Sequence, residues 1–289
     1  MMPLRRFQMH QPRSVTEAAE MLAHYGEKGR LYAGGTELLL AMKHDLLRYE
    51  HLVDVKTVPG LNKIEIKNSS LCIGGTATHR AIEKSSLVGK HLPVIAEMAR
   101  HVANVRVRGT GTLGGNLCFA EPHSDPATLL LALETRVQVQ GRSKERTLTM
   151  DELITGAYET SLAEDELLTL VEIPIPAKSQ RAAYLKFQIK ERPTLGLALV
   201  MDVDEAGDAI RKARAVVGSV SPKPCRSDEA EALLVGAKKE VEKQLADAAL
   251  ALADAADPVD DLEGSTEYKR HLVGVFLRRA FNKALSTPA

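Results

Sequence analysis

The chain of 289 residues is 44% hydrophobic and 26% charged, the composition of an ordinary globular protein with room for two domains. Lys+Arg and Asp+Glu both number 38, which leaves no basic excess to attract nucleic acid or an anionic membrane, and the lack of Trp with only 4% aromatics removes stacking platforms for bases. The opening MMPLRRFQMH lacks the apolar core of a secretion signal and no run is apolar for long enough to span a membrane, so the expectation is a cytoplasmic chain; Cys72, Cys118 and Cys225 are too widely spaced for a disulfide framework or a zinc or iron–sulfur ligand set.

SVTEAAEMLAHYG predicts a first helix, with Ser14 as N-cap, Glu17 completing a capping box and Gly26 as the stop. A strand-like RLYAGG follows, then helical spacing in TELLLAMKHDL, then short β-type runs broken at Pro59-Gly60 and Asn68-Ser69. HLPVIAEMARHVA predicts an amphipathic helix whose last turn carries Arg100 and His101, where positive charge suits the helix dipole. SDPATLLLALE predicts another, with Asp125 at the N-cap and Pro126 at the first helical position. TRVQVQGRSKERTLTM reads as a hairpin turned near Gly141, and DELLTLVEIPIP as a strand closing the block. A domain boundary is expected between Ala177 and Arg181. Beyond it come β-type runs such as ARAVVGSV and two long helical stretches, the first broken at Gly236, read as an α+β cap without chemistry of its own.

Gly109, Gly111 and Gly114 in RVRGTGTLGGN have the spacing G-x-G-x-x-G of a dinucleotide-binding turn, a motif that works only between a strand and an immediately following helix. Here Pro122 and Pro126 interrupt, the next helix is expected only at Asp125, and the acidic residue at the right distance, Glu134, falls at the end of that helix. A Rossmann reading therefore fails. What remains is a glycine loop with Asn116, Ser124 and Asp125 nearby, and a second loop, AGGTEL, with Thr36 and Glu37. Consecutive glycines let backbone N–H groups converge on a phosphate, and a carboxylate accepts hydrogen bonds from sugar hydroxyls, so two such loops suit a dinucleotide. Equally, both can be plain strand-end turns, with Asp125 a cap and Glu37 a first-turn charge. A third pair, Gly74-Gly75, lies evenly spaced between Gly34-Gly35 and Gly114-Gly115, but the flanks differ too much for a repeat, and the spacing is read as coincidence.

YAGGTEL, RVRGTGTLGGNLCFAEPHSDPATLLLAL, LVEIPIP followed by YLKF, and SVSPKPCRSDEAEALLVG, in this order, resemble the FAD-binding medium subunit of the molybdenum hydroxylases, the xanthine dehydrogenase and carbon monoxide dehydrogenase family, along nearly the whole chain. The resemblance implies an α+β fold: a two-lobed FAD-binding domain of the vanillyl-alcohol-oxidase (PCMH) type over residues 1–177, with lobes of about 1–56 and 57–177, then a small C-terminal domain over 181–286. It implies a first FAD loop of Tyr32, Ala33, Gly34, Gly35, Thr36 and Glu37, and a second of Thr112, Gly114, Gly115 and Asn116 completed by Ser124 and Asp125. Val102 and Ala103 are expected to line the pocket, Leu168 to touch the flavin, and Lys186 to lie near its ring, where a cation stabilises negative charge on the reduced cofactor. Phe119 and the stretch ERPTLGLALV depart from the family pattern on the flavin and acceptor sides.

By the same resemblance FAD is the cofactor of this chain, and no catalytic residue or metal site is expected on it. A molybdenum cofactor belongs on a large partner subunit and two [2Fe–2S] clusters on a small one, in a dimer of heterotrimers. The expected role is to pass electrons from those clusters through FAD to an external acceptor. The rivals are a stand-alone FAD-dependent oxidoreductase of the same fold and a scaffold subunit without catalysis. His79 and His123 are read as polar loop residues rather than proton-transfer groups.

Overall fold

The computed structural model describes residues 4–190 and 192–286; residues 1–3 of the opening stretch and Glu191 of ERPTLGLALV lie outside them. The first lobe is a parallel sheet in which His51–Asp54 lies between Gln8–His10 and Gly29–Tyr32. Its expected helix forms over Val15–Tyr25, with Ser14 Oγ accepting from the Glu17 N–H and Gly26 stopping it at φ +51°. The capping box is incomplete, because the Glu17 carboxylate reaches one residue further back, to the Arg13 N–H at 2.6 Å. Ala18, Ala19 and Leu22 of this helix pack on Val53, Val55, Val58, Leu61 and Leu167.

The second lobe is built on an antiparallel sheet in the order Ile64–Lys67, Ser70–Gly74, Leu167–Pro174, Arg136–Gln140, Glu145–Thr149. The hairpin expected at Gly141 pairs Arg136–Gln140 with Glu145–Thr149. Helix Asp125–Ala132, every residue of which is buried, shares a hydrophobic core with this sheet. Ser124, not Asp125, occupies its N-cap, so the start is shifted by one residue from the sequence reading.

The C-terminal domain is a further antiparallel sheet of Gln180–Phe187, Leu195–Val203 and Ala209–Gly218, with Cys225–Arg226 and Gly236–Ala237 pairing with opposite ends of the last. The break at Gly236 is real: it separates helix Asp228–Leu233 from Lys238–Ala256. One face of this sheet packs on Lys238–Ala256 and Thr266–Ser286. The other contributes Tyr184, Ala198 and Val216 to the core of the second lobe, so Asp125–Ala132 is held between this sheet and helices of the second lobe. Alternation along Leu195–Val203 is lost because both of its faces are covered.

The clasp leaves no room at Gly218, where a Cβ would sit 1.9 Å from Thr128 Oγ1. Gly218→Ala should therefore destabilise the chain by about 1–3 kcal/mol, the ordinary cost of overpacking. Thr128→Ala in the same chain removes the atom met and should recover a measurable part, both read as shifts of the urea midpoint.

Candidate functional site

Three glycine pairs meet at one seam. Gly34 lies on the backbone of Thr110 and Gly111: a Cβ there would stand 2.3 Å from the Thr110 carbonyl oxygen and 2.7 Å from Gly111 Cα. A Cβ at Gly114 would stand 2.5 Å from the Gly75 carbonyl oxygen, and one at Gly75 2.2 Å from that of Leu168. Main-chain bonds close the seam, from Gly114 N–H to Gly75 O at 3.0 Å and from Gly75 N–H to Thr169 O at 2.9 Å. The even spacing of the pairs is no repeat, since one follows a parallel strand, one ends an antiparallel strand and one lies in a helix. Their common feature is tertiary: each allows two backbones to touch.

The two glycine loops differ in what they offer a ligand. The second is helical, contrary to the expectation that no helix opens before Asp125: Val105–Thr110 is capped by the Asn104 side chain, and Leu113–Phe119 by Thr112 Oγ1. Ala120, left-handed at φ +49°, ends the latter before Pro122, so the proline does not prevent it. The Rossmann reading still fails, for a different reason, because a helix precedes the glycines where a strand is required. The N–H groups of Leu113, Gly114, Gly115 and Asn116 are all engaged internally, with Ala77 O, Gly75 O, Thr112 Oγ1 and Thr112 O. This loop is a packing platform rather than an anion nest.

The first loop is the opposite. Among the described residues no acceptor meets the N–H groups of Gly34, Gly35, Thr36 or Glu37, which lie between strand Gly29–Tyr32 and helix Leu38–Lys43. Gly35 is at φ +67° and lies against the Tyr32 ring, over which Lys56 Nζ stands 3.9 Å from the centroid. Lys56 also donates to the Ala33 carbonyl at 2.8 Å. The loop thus offers consecutive donors without acceptors among the described residues, beside Lys56, which pairs with Asp54 at 2.9 Å, and the start of helix Leu38–Lys43. Thr36 Oγ1 faces Gly111 across the seam.

Asp125 is 5% exposed and fully engaged: Oδ1 accepts from Tyr184 Oη at 2.6 Å and Oδ2 from Lys186 Nζ at 3.0 Å. Lys186 also donates to the His101 carbonyl at 2.6 Å. Burial pushes the Asp125 carboxyl up, with the Lys186 charge and the Tyr184 hydrogen bond opposing it. Burial and the Asp125 carboxylate push the Tyr184 phenol well above its ordinary range, which keeps it a donor. The carboxylate read as an acceptor for sugar hydroxyls thus has both oxygens tied across the domain boundary. Ser124 Oγ donates to Asn116 Oδ1 at 2.6 Å, which leaves the Asn116 amide nitrogen as the free group of that pair. Leu168 is buried at a β-bulge, where its carbonyl abuts Gly75. Val102 is buried and Ala103 exposed, beside the Lys186 contact.

Residues that sequence reasoning missed join these loops. Arg192, in the stretch singled out as a departure, binds Glu121 at 2.6 Å and Glu37 of the first loop at 3.4 Å. His123 lies between Glu121 (2.9 Å) and Asp261 (3.3 Å), and fully buried Lys269 holds Asp261 at 2.6 Å. Its hydrogen bond to Glu121 outweighs burial and raises the His123 imidazole, with Asp261 adding to the shift. Burial disfavours the Glu121 charge, but His123 and Arg192 hold its carboxyl below the usual range. Phe119 packs edge-on against Tyr158, with ring centroids 5.5 Å apart. The C-terminal domain thus supplies Tyr184, Lys186, Arg192, Asp261 and Lys269, and is no inert cap.

Residues 5–176 match the family described as FAD binding domain in molybdopterin dehydrogenase, and residues 184–284 the CO dehydrogenase flavoprotein C-terminal domain. The chain belongs to the molybdopterin dehydrogenase flavoproteins. This member is 33% identical over 283 residues to the carbon monoxide dehydrogenase medium chain of Hydrogenophaga pseudoflava, covering 96% of this chain and 97% of that one. It is 34% identical over 274 residues to the nicotine 6-hydroxylase medium subunit of Paenarthrobacter nicotinovorans, covering 94% and 95%. Identity to the xanthine dehydrogenase FAD-binding subunit of Escherichia coli O157:H7 is 26% over 282 residues, covering 96% and 95%. The solved carbon monoxide dehydrogenase from Hydrogenophaga pseudoflava that lacks the Mo-pyranopterin moiety superposes with a TM-score of 0.93 at 33% identity over 100% of both chains. Quinoline 2-oxidoreductase from Pseudomonas putida 86 superposes with 0.92 at 27% identity over 98% of each. These relatives are subunits of oxidoreductases, and the two-domain α+β architecture is theirs. No helix among the described residues is long and apolar enough to cross a membrane.

Two outcomes follow from the site's electrostatics. His79 is 2% exposed, its Nδ1 has no partner among the described residues, and burial with the neighbouring Arg108 charge lowers its imidazole to about 4. The folded value lies below the ordinary 6.5, so stability is complete above pH 6.5 and falls as pH drops towards 4. At about 1.4 kcal/mol per unit the loss is of order 3 kcal/mol. His79→Leu should flatten this limb of the stability–pH curve in urea titrations run from pH 7 to 4. For the buried pair, Asp125→Asn or Lys186→Met should each cost about 3 kcal/mol or more by stranding its partner. The double variant should cost less than the two singles together, measured by the same unfolding assay as a double-mutant cycle.

Proposed function

We propose that this chain is the FAD-carrying electron-transfer subunit of a molybdenum hydroxylase complex, taking electrons from iron–sulfur clusters of a small partner subunit and delivering them to an external acceptor. The observation that carries this reading is the first loop, whose four consecutive N–H groups from Gly34 to Glu37 meet no acceptor among the described residues while the chain belongs to a FAD-binding family. Bound FAD would supply the two-electron chemistry. The chain's own residues hold and shape its site. Tyr32, Ala33, Gly34, Gly35, Thr36 and Glu37 form the phosphate cradle, and Thr112, Gly114, Gly115 and Asn116 the facing platform. Ser124 orients the Asn116 amide, Val102, Ala103 and Leu168 line the pocket, and Asp125 fixes Lys186 so that its charge lies beside the 101–103 turn.

The proposed domains are 1–177, with lobes of about 1–56 and 57–177, and 181–286. Names such as "medium chain" among the relatives support partner subunits, a small one with two [2Fe–2S] clusters and a large one with the molybdenum cofactor, assembled as a dimer of heterotrimers in the cytoplasm.

The purified chain should show two flavin absorption bands and release FAD on acid denaturation. Gly34→Val should abolish both, since its Cβ collides with the Thr110 carbonyl at the seam. A colourless wild-type protein that takes up no added FAD, alone or with its partner subunits, would exclude the proposal.

A further inference from the structure

We infer that Arg108 is a positioning residue for the flavin pocket, holding Ala103 in a left-handed turn that sets Val102 and Ala103 against the cofactor; this rests on the reading above that these two residues line the FAD site. Ala103 has φ +40°, a conformation costly for a residue with a Cβ, and neither glycine nor asparagine stands there to relieve it. The turn is short. Helix Pro93–His101 ends at Val102, whose N–H bonds to Ala99 O, and the next helix, Val105–Thr110, already has its cap at Asn104.

Arg108 reaches back from that second helix over the turn. Its Nη1 donates to Val102 O at 3.1 Å and to Ala103 O at 3.2 Å, while Nε donates to Glu83 Oε2 at 3.3 Å. The carbonyl before these two, of His101, is taken by Lys186. Three successive carbonyls are thus gathered by two cations, one from the second lobe and one from the C-terminal domain. A planar guanidinium anchored at one edge by a carboxylate is a rigid fork, so it imposes the turn's geometry in a way a flexible ammonium cannot. On that reading the strain at Ala103 lies beside the cofactor, and functional sites are the usual place for backbone held against its own preference. Glu83 is not left bare if Arg108 is removed, because Arg80 bonds both of its oxygens.

The test measures the FAD dissociation constant by flavin fluorescence and the flavin reduction potential, on the full chain. Arg108→Met should weaken FAD about tenfold, the scale of a residue's left-handed penalty, and shift the potential while the melting temperature stays near wild type. Adding Ala103→Gly, which adopts positive φ without a Cβ cost, should restore most of the affinity and the potential. Wild-type affinity in Arg108→Met, or a loss that Ala103→Gly does not repair, would overturn the inference while leaving the FAD reading intact. Should Arg108→Met not fold, Arg108→Lys carries the same two readouts, with a partial loss that Ala103→Gly again repairs. Failure of the wild-type chain to bind FAD at all would remove both.

Discussion

The structure depends on backbone touching backbone. At Gly34 against Thr110 and Gly111 the separation is too small for any side chain, so two lobes with unrelated sheets are brought to contact by the absence of a Cβ, and the same closeness at Gly114 against Gly75 joins two segments within the second lobe. Hydrogen bonding follows from that closeness: Gly114 reaches Gly75, and Gly75 reaches the bulge at Thr169. With the second loop's amides consumed in making the seam, the first loop is left with its donors uncommitted. One geometric constraint therefore produces both the joint and the cradle.

Charge then ties the third piece of the chain to the other two. Asp125 is buried, and burial of a lone carboxylate would be prohibitive; among the described residues Tyr184 and Lys186 from the C-terminal sheet are its hydrogen-bond partners. A second array, from Glu37 through Arg192, Glu121 and His123 to Asp261 and Lys269, joins all three pieces at the rim. Such arrays contribute less to net stability than to fixing one arrangement of the parts, because desolvation offsets much of the Coulomb attraction. Here the arrangement fixed is that of the loops.

Much of the local structure was legible. Ser14 and Gly26 delimit the first helix, Gly141 turns the hairpin, and Gly236 breaks the C-terminal helical run, each through backbone preferences that act over a few residues. The ordered motifs, from YAGGTEL to YLKF, were specific enough to point to the family. Where local reasoning failed, a short-range rule met a longer-range one. Pro122 seemed to forbid a helix after the glycines, yet Thr112 and the left-handed Ala120 bound a helix short enough to finish before it.

By itself, then, the sequence determined element types, the loops and the family, because capping, turn chemistry and motif order are written in neighbouring residues. The tertiary structure alone decided that the three glycine pairs share a seam, that Asp125 pairs with Lys186 and Tyr184 rather than facing open space, and that Arg192 meets Glu37 and Arg108 the Val102 carbonyl. These pairings join residues far apart in the chain or on separate elements, and no local pattern encodes a hydrogen bond whose partners meet only when the C-terminal sheet closes on a helix of the second lobe.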